Sequence, residues 1–451
     1  MSAPRAAAAA CLTLLLLPVR LLPAQPATPH TLAERLAASE GAVVVRFATR
    51  AAACGDGRDL IALGDRLTTG SSYVSFGGAR WGRQSCLRGP ARVTLTVRGG
   101  AVTDVRVSVG APAAAAGAAG AARDLGVVGA PAAAAYFVDL AARTAGGSAE
   151  RAVMAAALAD SADVWRPLLA LARRHDDDRV VRSAMHWLGA VAPAEAVPAL
   201  AAALRDPGER RAVRGGAAVA LAVAPEGSGV PALAGAAGGV RSAGGSDPWV
   251  REQAVFWLGN ARDARAHATL RALAAADTTP EAVRAQAIFA LGHLARGDDG
   301  GGGDAADGVE GNAAFLRALH PRLAASPRLQ DKVIQSVAQA ADAASRRWLL
   351  DLAADGRQPL AARKQALFWA GQNGGTPVGE LVAVDARLDG AELRRHYAFV
   401  LSQRGEDAAV DRLVAIARAD ADPGVRRQAI FWLGQSRNPR ARAYLETVVA
   451  R

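Results

Sequence analysis

The stretch "DPGVRRQAIFWLGQ", from Asp422 to Gln435, decides the fold because close variants of it recur along the chain. The variants are "DPWVREQAVFWLGN" from Asp247, "VRAQAIFALGH" from Val283 and "ARKQALFWAGQ" from Ala362. A catalytic site is built once, from residues that converge in space. A motif that recurs in nearly the same form therefore predicts a structural element.

Each stretch has the features of an amphipathic helix. Asp422 can accept a hydrogen bond from a free backbone N–H at the helix start, and the proline after it fits the first turn. At 100° per residue, four apolar side chains fall on one side and predict a buried stripe. They are Val425, Ala429, Trp432 and Leu433. Gly434 marks the expected helix end, since glycine tolerates the left-handed conformation that often ends helices.

A basic residue recurs one position after the small apolar residue that opens each motif. These residues, called ladder residues below, are Arg151, Arg182, Arg214, Arg251, Arg284, Lys332, Arg363, Arg394 and Arg426. Their spacing is about 31 residues, apart from two units that contain Gly-rich insertions. A unit of this length holds two helices that cannot bury their apolar faces alone, so neighbouring units must stack. The sequence predicts a mainly α protein in which residues 131–451 form an α-solenoid of about nine helical hairpins, preceded by a small β-rich domain.

This pattern resembles the HEAT repeats, in particular the short bacterial type named after the phycobilisome lyases. The resemblance rests on the D-P-x-V-R start in "DPWVR" and "DPGVR" and on the A-x-x-x-L-G end in "AVFWLG" and "AIFALG". It covers the region from about residue 131 to 451, and it implies stacked hairpins that present a binding surface. It implies no lyase activity, since no residues here match a specific bilin site.

Residues 28–110 lack the repeated helical motif and predict the β-rich domain. "RVTLTVRGGAVTDVRVSV" alternates apolar and polar residues on both sides of Gly99-Gly100, which predicts a β-hairpin. The Ala- and Gly-rich segment 111–130 predicts a flexible linker. We therefore expect a chain that starts near residue 128 to fold by itself as a helical protein.

The N-terminus predicts a signal peptide over residues 1–24. Arg5 precedes an apolar run from Ala6 to Val19, and Ala24 offers a small residue for cleavage. The alternative is an uncleaved membrane anchor, but the run is shorter than the ~20 apolar residues that span a bilayer. The sequence predicts a bacterial protein that is periplasmic or secreted, without stable membrane insertion after removal of the signal.

Export also bears on the cysteines. Cys11 leaves with the signal, so Cys54 and Cys86 remain as one pair in an oxidising compartment. We expect a disulfide between them; the alternative is two buried free thiols.

The net charge of +11 does not by itself predict nucleic-acid binding. Only Lys332 and Lys364 are lysines among the 53 basic residues, a bias typical of a GC-rich genome. We find no lysine-rich tract, zinc-finger spacing or aromatic-basic sheet motif, so nucleic acid is not an expected partner.

The sequence predicts no catalytic, metal-binding or cofactor-binding residues. The seven histidines show no H-E-x-x-H pairing, and no G-x-S-x-G elbow is present. "GDGRD" at 55–59 is interpreted as a turn, and "HDDD" at 175–178 as a loop and helix cap. The predicted function is an exported, non-catalytic interaction scaffold. The alternative is an enzyme or enzyme-activating subunit with its site in the β-rich domain.

Three repeated polar positions could contact a partner or stabilise the stack. We expect each ladder arginine to pair with a capping aspartate of a neighbouring unit. The amides two positions further on, which belong to Gln253, Gln286, Gln365 and Gln428, either bond to each other along the stack or bind the backbone of an extended peptide.

The third position, one after the ladder residue, carries Lys364, Arg395 and Arg427 in three successive units. It lies opposite the buried stripe, so all three side chains should point into solvent and form a basic row. The row is either a solvated face or a docking strip for an acidic peptide or polymer. A protein or acidic peptide is therefore the expected partner.

Overall fold

The computed structural model describes residues 31–450, apart from 64–66, 70–73, 77–85, 111–121, 240–246, 262, 296–304, 341 and 373–375. The side chains of 67–69, 74–76, 295 and 305–310 are not described. The signal peptide predicted over 1–24 lies outside the described residues. Within the described ranges, no helix has both the length and the apolar character needed to cross a membrane.

The N-terminal domain begins with the short helix α1, Leu32–Ala37, which Thr31 and Glu34 close with a capping box. Eight strands follow: β1 Gly41–Phe47, β2 Ala53–Gly55, β3 Ile61–Leu63, β4 Leu67–Thr69, β5 Val74–Phe76, β6 Ala91–Arg98, β7 Ala101–Val109 and β8 Arg123–Val127. They form two four-stranded sheets, with the orders β7-β6-β1-β8 and β2-β3-β4-β5. The predicted β-rich domain is thus present.

The predicted hairpin is the antiparallel pair β6–β7. Gly99 and Gly100 at its turn have φ angles of +55° and +75°, which favour glycine over residues with a Cβ. The apolar positions of β6 and β7 are buried against the helices. The alternation in the sequence therefore reports the face that packs on the core.

The predicted limits of this domain are wrong at the C-terminal side. The segment expected to be a linker over 111–130 contains β8, which pairs parallel with β1. Residues 111–121 lie outside the described part. The strand escaped prediction because it has five residues and only Leu125 of them is buried. The first helix of the repeats then starts at Ala130, directly after the sheet.

The predicted disulfide is present. Cys54 in β2 is bonded to Cys86, and their Cα atoms are 5.3 Å apart. The bond closes a loop of 32 residues, which on the chain-entropy argument stabilises the fold by about 3–4 kcal/mol.

The rest of the described chain consists of helices. They are α2 Ala130–Ala142, α3 Gly146–Leu158, α4 Trp165–Arg174, α5 Asp178–Val191, α6 Val197–Arg205, α7 Arg211–Val223, α8 Val230–Gly238, α9 Pro248–Leu258, α10 Ala264–Ala275, α11 Glu281–Ala295, α12 Ala305–Leu319, α13 Pro327–Ala340, α14 Ala343–Ala354, α15 Leu360–Gln372, α16 Val378–Ala383, α17 Ala391–Ser402, α18 Asp407–Ala419, α19 Pro423–Gln435 and α20 Pro439–Val449. Consecutive helices pair as hairpins from α2–α3 to α18–α19, so the described residues form nine hairpins followed by α20. This confirms the predicted α-solenoid.

The second helices of the hairpins, odd-numbered from α3 to α19, stack against one another along the solenoid. Their motif glycine permits close approach: a methyl group on Gly259 would lie 2.8 Å from the Cβ of Ala290 in the next second helix. Gly259 has a right-handed φ of −67°, and Gly434 lies inside α19. The expected role of Gly434 as a left-handed helix end is therefore wrong, and at Gly259 the motif glycine serves helix packing.

Three ladder arginines donate hydrogen bonds to free carbonyl groups at the end of the first helix of their own hairpin. Arg214, Arg284 and Arg363 each donate a hydrogen bond from Nε to a carbonyl ten residues earlier, at 3.3, 3.2 and 2.9 Å. The acceptors are the carbonyls of Leu204, Ala274 and Ala353. Carbonyls in the last turn of a helix have no partner within it, so the guanidinium group supplies one.

The same guanidinium groups also bind carboxylates. Arg214 pairs with Asp247, whose carboxylate also accepts a hydrogen bond from Trp249 N at the start of α9. Arg214 is the largest cause that lowers the pKa of Asp247 below its ordinary value. The expected pairing of a ladder arginine with a neighbour's capping aspartate is thus confirmed here. Arg363 pairs with Asp389 in the next unit.

In α13 the ladder position belongs to a different residue from the one predicted. Gln330 donates from Nε2 to the carbonyl of His320, again ten residues earlier, at 3.3 Å. Lys332 bonds instead to Gln335. The insertion before this helix shifted the alignment by two residues.

The sheet domain and the first hairpin share one hydrophobic core. The rings of Phe47 in β1 and Phe137 in α2 lie 5.9 Å apart. Arg50 donates hydrogen bonds to the carbonyls of Ala157 and Ala162, at 2.8 and 2.6 Å. These contacts argue against an independent repeat region that begins near residue 128.

We predict that a chain truncated to residues 128–451 remains helical but loses the stability of its first hairpin. Removing Phe47 and Arg50 exposes Phe137 to water and leaves carbonyls at the end of α3 without a partner. Hydrogen exchange should show fast exchange in α2 and α3 and retained protection from α6 onward. Full protection of α2 and α3 in the truncated chain would contradict the shared core.

For the disulfide, we predict that replacing Cys54 and Cys86 with serine lowers the free energy of unfolding by about 3–4 kcal/mol. Urea unfolding with tryptophan fluorescence measures the change. Reduced wild-type protein is the matched control and should unfold at nearly the same urea concentration. Two thiols open to alkylation in the native, oxidised protein would disprove the bond.

For the ladder, we predict that Arg363→Met lowers the free energy of unfolding by about 1.5–3 kcal/mol, the value of a hydrogen bond from a charged group. Arg363 is 6% exposed, so water does not replace the lost contact. Arg427 is exposed and lies two hairpins further along the chain. Arg427→Met should therefore change the free energy of unfolding by less than about 0.5 kcal/mol. Equal effects of the two substitutions, measured by urea unfolding, would count against the capping role.

Candidate interaction surface

One position of the second helices carries exposed aromatic rings. Phe256 in α9, Phe289 in α11 and Phe431 in α19 are 45%, 41% and 54% exposed. Each lies five residues after its ladder arginine. Among the side chains that the structure describes, no other Phe, Tyr or Trp is exposed. A single helix face of the solenoid therefore holds them.

In the last three hairpins, rings at this position and at the next residue form a continuous row. Phe368 in α15 stacks on Phe399 in α17, with ring centroids 6.5 Å apart and ring planes 3° apart. Phe399 lies 5.3 Å from Trp432 in α19, which is 5.0 Å from Phe431. We call these four residues the aromatic ridge. It runs across successive repeats rather than along one helix.

The basic row is only partly what the sequence predicts. Lys364 pairs with Glu392 of the next unit, lowering the pKa of that carboxyl group, and its side chain is 29% exposed. Arg395 lies 3.7 Å from Asp422, again of the next unit, and is 42% exposed. The expected row of three solvent-facing cations is therefore modified, because Lys364 and Arg395 are each paired with a carboxylate. The reason is that the next hairpin places a carboxylate beside each of them.

Arg427 is the exception. It is exposed, and within the described part of the chain it has no ion pair. It lies one turn before Phe431 on α19, so a cation and an exposed ring occupy the same face at the end of the aromatic ridge.

The repeated glutamines do not bond to each other in the described structure. Gln365 accepts a hydrogen bond from Trp369 Nε1 at 2.9 Å, within its own helix. Gln253, Gln286 and Gln428 are half-buried and have no hydrogen-bonded partner among the described residues. The expected bonding of amides along the stack is thus wrong, whereas the alternative, amides that bind a peptide backbone, stays a prediction. In α17 the equivalent residue is His396, whose ring nitrogen lies 3.0 Å from the carbonyl oxygen of Lys364.

The two polar motifs outside the repeats are local structure. Asp56 accepts hydrogen bonds from the backbone N–H groups of Arg58 and Leu60, which makes the segment 55–59 a turn. Asp177 caps α5 through Arg179 N and also binds Gly146 N. Both observations agree with the interpretation of these motifs as turn and cap.

Sequence reasoning missed the phenylalanines. It placed the tryptophan of the Phe-Trp pair in the buried stripe and assigned no role to the phenylalanine. The signal was available, since at 100° per residue Phe431 falls about 200° from Ala429, opposite the buried stripe. An aromatic residue repeated at the solvent-facing position of a helix is the pattern that would have revealed it.

Comparison with known proteins agrees with the helical repeats. A family model described as HEAT repeats matches residues 386–451. No curated protein matches the chain.

Three solved structures illustrate the likeness. Human deoxyhypusine hydroxylase in complex with glycerol is 21% identical, with 56% of this chain and 89% of that chain covered and a TM-score of 0.25. The complex of CpcE and CpcF of phycocyanin lyase from Nostoc sp. PCC7120 is 21% identical, with 58% and 91% covered and a TM-score of 0.26. Kap121p bound to Pho4p is 12% identical, with 70% and 43% covered and a TM-score of 0.31. Likenesses at this level carry no inference about function.

The family match covers α17 to α20, and the upstream helices pair in the same way. They share the paired helices and the basic residue that recurs near the start of the second helix. Residues 386–451 are thus similar to HEAT repeats, and the hairpins before them extend the same helical stack.

Proposed function

We propose that this protein is a non-catalytic interaction scaffold that binds a protein partner along the exposed face of its second helices. The observation that carries the proposal is the set of exposed phenylalanines at one repeated position. A large apolar side chain that stays exposed does not gain the roughly 1.5–3 kcal/mol of stabilisation that its burial would provide. The exposed rings lie on one face, and no other Phe, Tyr or Trp is exposed among the described residues. This arrangement favours a surface that a partner covers.

The composition of the face suits a protein interface. Aromatic and Arg side chains are enriched in such interfaces and supply most of the binding energy. Here the aromatic ridge ends beside Arg427, and Gln428 offers an amide next to it. A partner segment with apolar side chains and an acidic residue would match this end of the solenoid. Because Arg427 lies at the rim, it should affect the association rate more than the affinity.

The proposal includes export from the cytoplasm of a bacterium. The charged and apolar N-terminal segment supports it, and so does the Cys54–Cys86 bond, which persists in oxidising compartments. The partner would then be another exported protein.

We predict that replacing Phe256, Phe289 and Phe431 with serine abolishes capture of the partner from an extract of the exported proteins. Each substitution removes an exposed ring, so the fold should keep its melting temperature. For an isolated partner, we expect the affinity to fall at least tenfold, measured by calorimetry.

The matched control replaces Leu360 and Val449 with serine, because these apolar residues are exposed away from the ridge. The control should capture the same partner as wild-type protein. Equal capture by the triple phenylalanine variant would place the binding surface elsewhere and refute the proposal.

A further inference from the structure

A cleft with a volume of about 530 Å³ lies between the first helices α2 and α4. Its walls are mainly apolar and include Ala134, Val138, Val164, Pro167 and Leu171. The volume falls in the range of sites that bind small molecules, and such sites often form where domains meet. This cleft lies on the first helices, so it is separate from the aromatic ridge on the second helices.

The loop that closes one side of the cleft is held by the N-terminal domain. Ser161, a cleft residue, has a φ of +54°, which is rare for a residue other than glycine. Arg50 donates a hydrogen bond to the carbonyl of Ala162 at 2.6 Å, and Asp160 N donates to the carbonyl of Ala48 at 2.9 Å. The strained loop is therefore fixed from the sheet, and the cleft is formed before any ligand arrives. Backbone strain of this kind concentrates at functional sites.

The charged groups at the rim leave one cation available. Asp139 is paired with Arg143 at 2.7 Å, and Asp163 with Arg166 at 3.1 Å.

The two basic residues at the end of α4 differ in their contacts. The ring nitrogens of His175 are both engaged, one with the carbonyl of Thr144 and the other with Asp177 N. Arg174 lines the cleft, is exposed, and has no ion pair or hydrogen bond among the described residues. The cleft thus combines apolar walls with one free guanidinium group.

We propose that this cleft binds a small amphipathic carboxylate, with the carboxylate on Arg174 and the apolar body against α2 and α4. A guanidinium group binds a carboxylate through two parallel hydrogen bonds, which gives both strength and orientation. Apolar walls favour an alkyl or aryl body over a sugar or a nucleotide. The proposal is independent of the partner-binding role, because it uses other helices.

The test titrates the full exported chain with octanoate, octanol and acetate by isothermal titration calorimetry. Octanoate has both features of the ligand, whereas each of the other two has one. We expect octanoate to bind at least tenfold more tightly than octanol and acetate. Arg174→Gln should weaken octanoate binding at least fivefold and leave octanol unchanged. Ala135→Phe, which fills the cleft from an exposed position of α2, should weaken both.

Arg322→Gln is the control for the loss of one charge, since Arg322 is exposed and lies outside the cleft. It should bind octanoate like wild-type protein. Octanoate that binds no better than octanol, or binds equally well to the Arg174→Gln variant, overturns the proposal. Because Arg174 is exposed, this variant keeps its fold and decides the matter even if Ala135→Phe is unstable. Circular dichroism of each variant checks the fold.

Discussion

The close approach of successive second helices is the constraint on which the rest of this structure depends. Gly259 lies against Ala290, and no larger residue fits between the two helices without a shift. At such short distances the buried stripe must consist of small and medium apolar residues, as the abundance of alanine in the core shows. The helices are then held in one register, so equivalent positions of every unit fall into rows across the solenoid.

The same constraint explains why the ladder residue is so often arginine. Tight stacking buries the turn between the two helices of a hairpin, and with it the carbonyls that end the first helix. A long side chain that reaches back ten residues satisfies them, and Arg363 does so while 6% exposed. Arginine has donors left over for a carboxylate in the next unit, which ties neighbouring hairpins together. Gln330 can perform the first of these tasks through its amide.

The N-terminal domain completes the solenoid at one end. The first hairpin of a stack has no preceding hairpin to cover it, and terminal units generally need a cap. Here the sheet provides the cover through Phe47, while Arg50 fixes the loop after α3. The capping function accounts for the shared core. It also means that this domain shapes the cleft of the first two hairpins, and so contributes to that surface without lining it.

The amino-acid sequence determined the repeating unit, the hairpin of β6 and β7 and the pairing of Cys54 with Cys86, because each depends on local pattern or on a unique partner. Spacing along one helix also placed Val425, Ala429 and Leu433 in the buried stripe, since the geometry of a helix is known in advance, but Trp432, predicted in the same stripe, is only half-buried. Only the tertiary structure decided what lies beside each repeated side chain. Glu392 and Asp422 are about 28 residues from the cations they bind. A helical wheel shows the positions on one helix only, so it could not predict these contacts with the next unit. The strand β8, the role of Gly259 and the cleft at Arg174 likewise arise from contacts between segments distant in sequence, which no local pattern encodes.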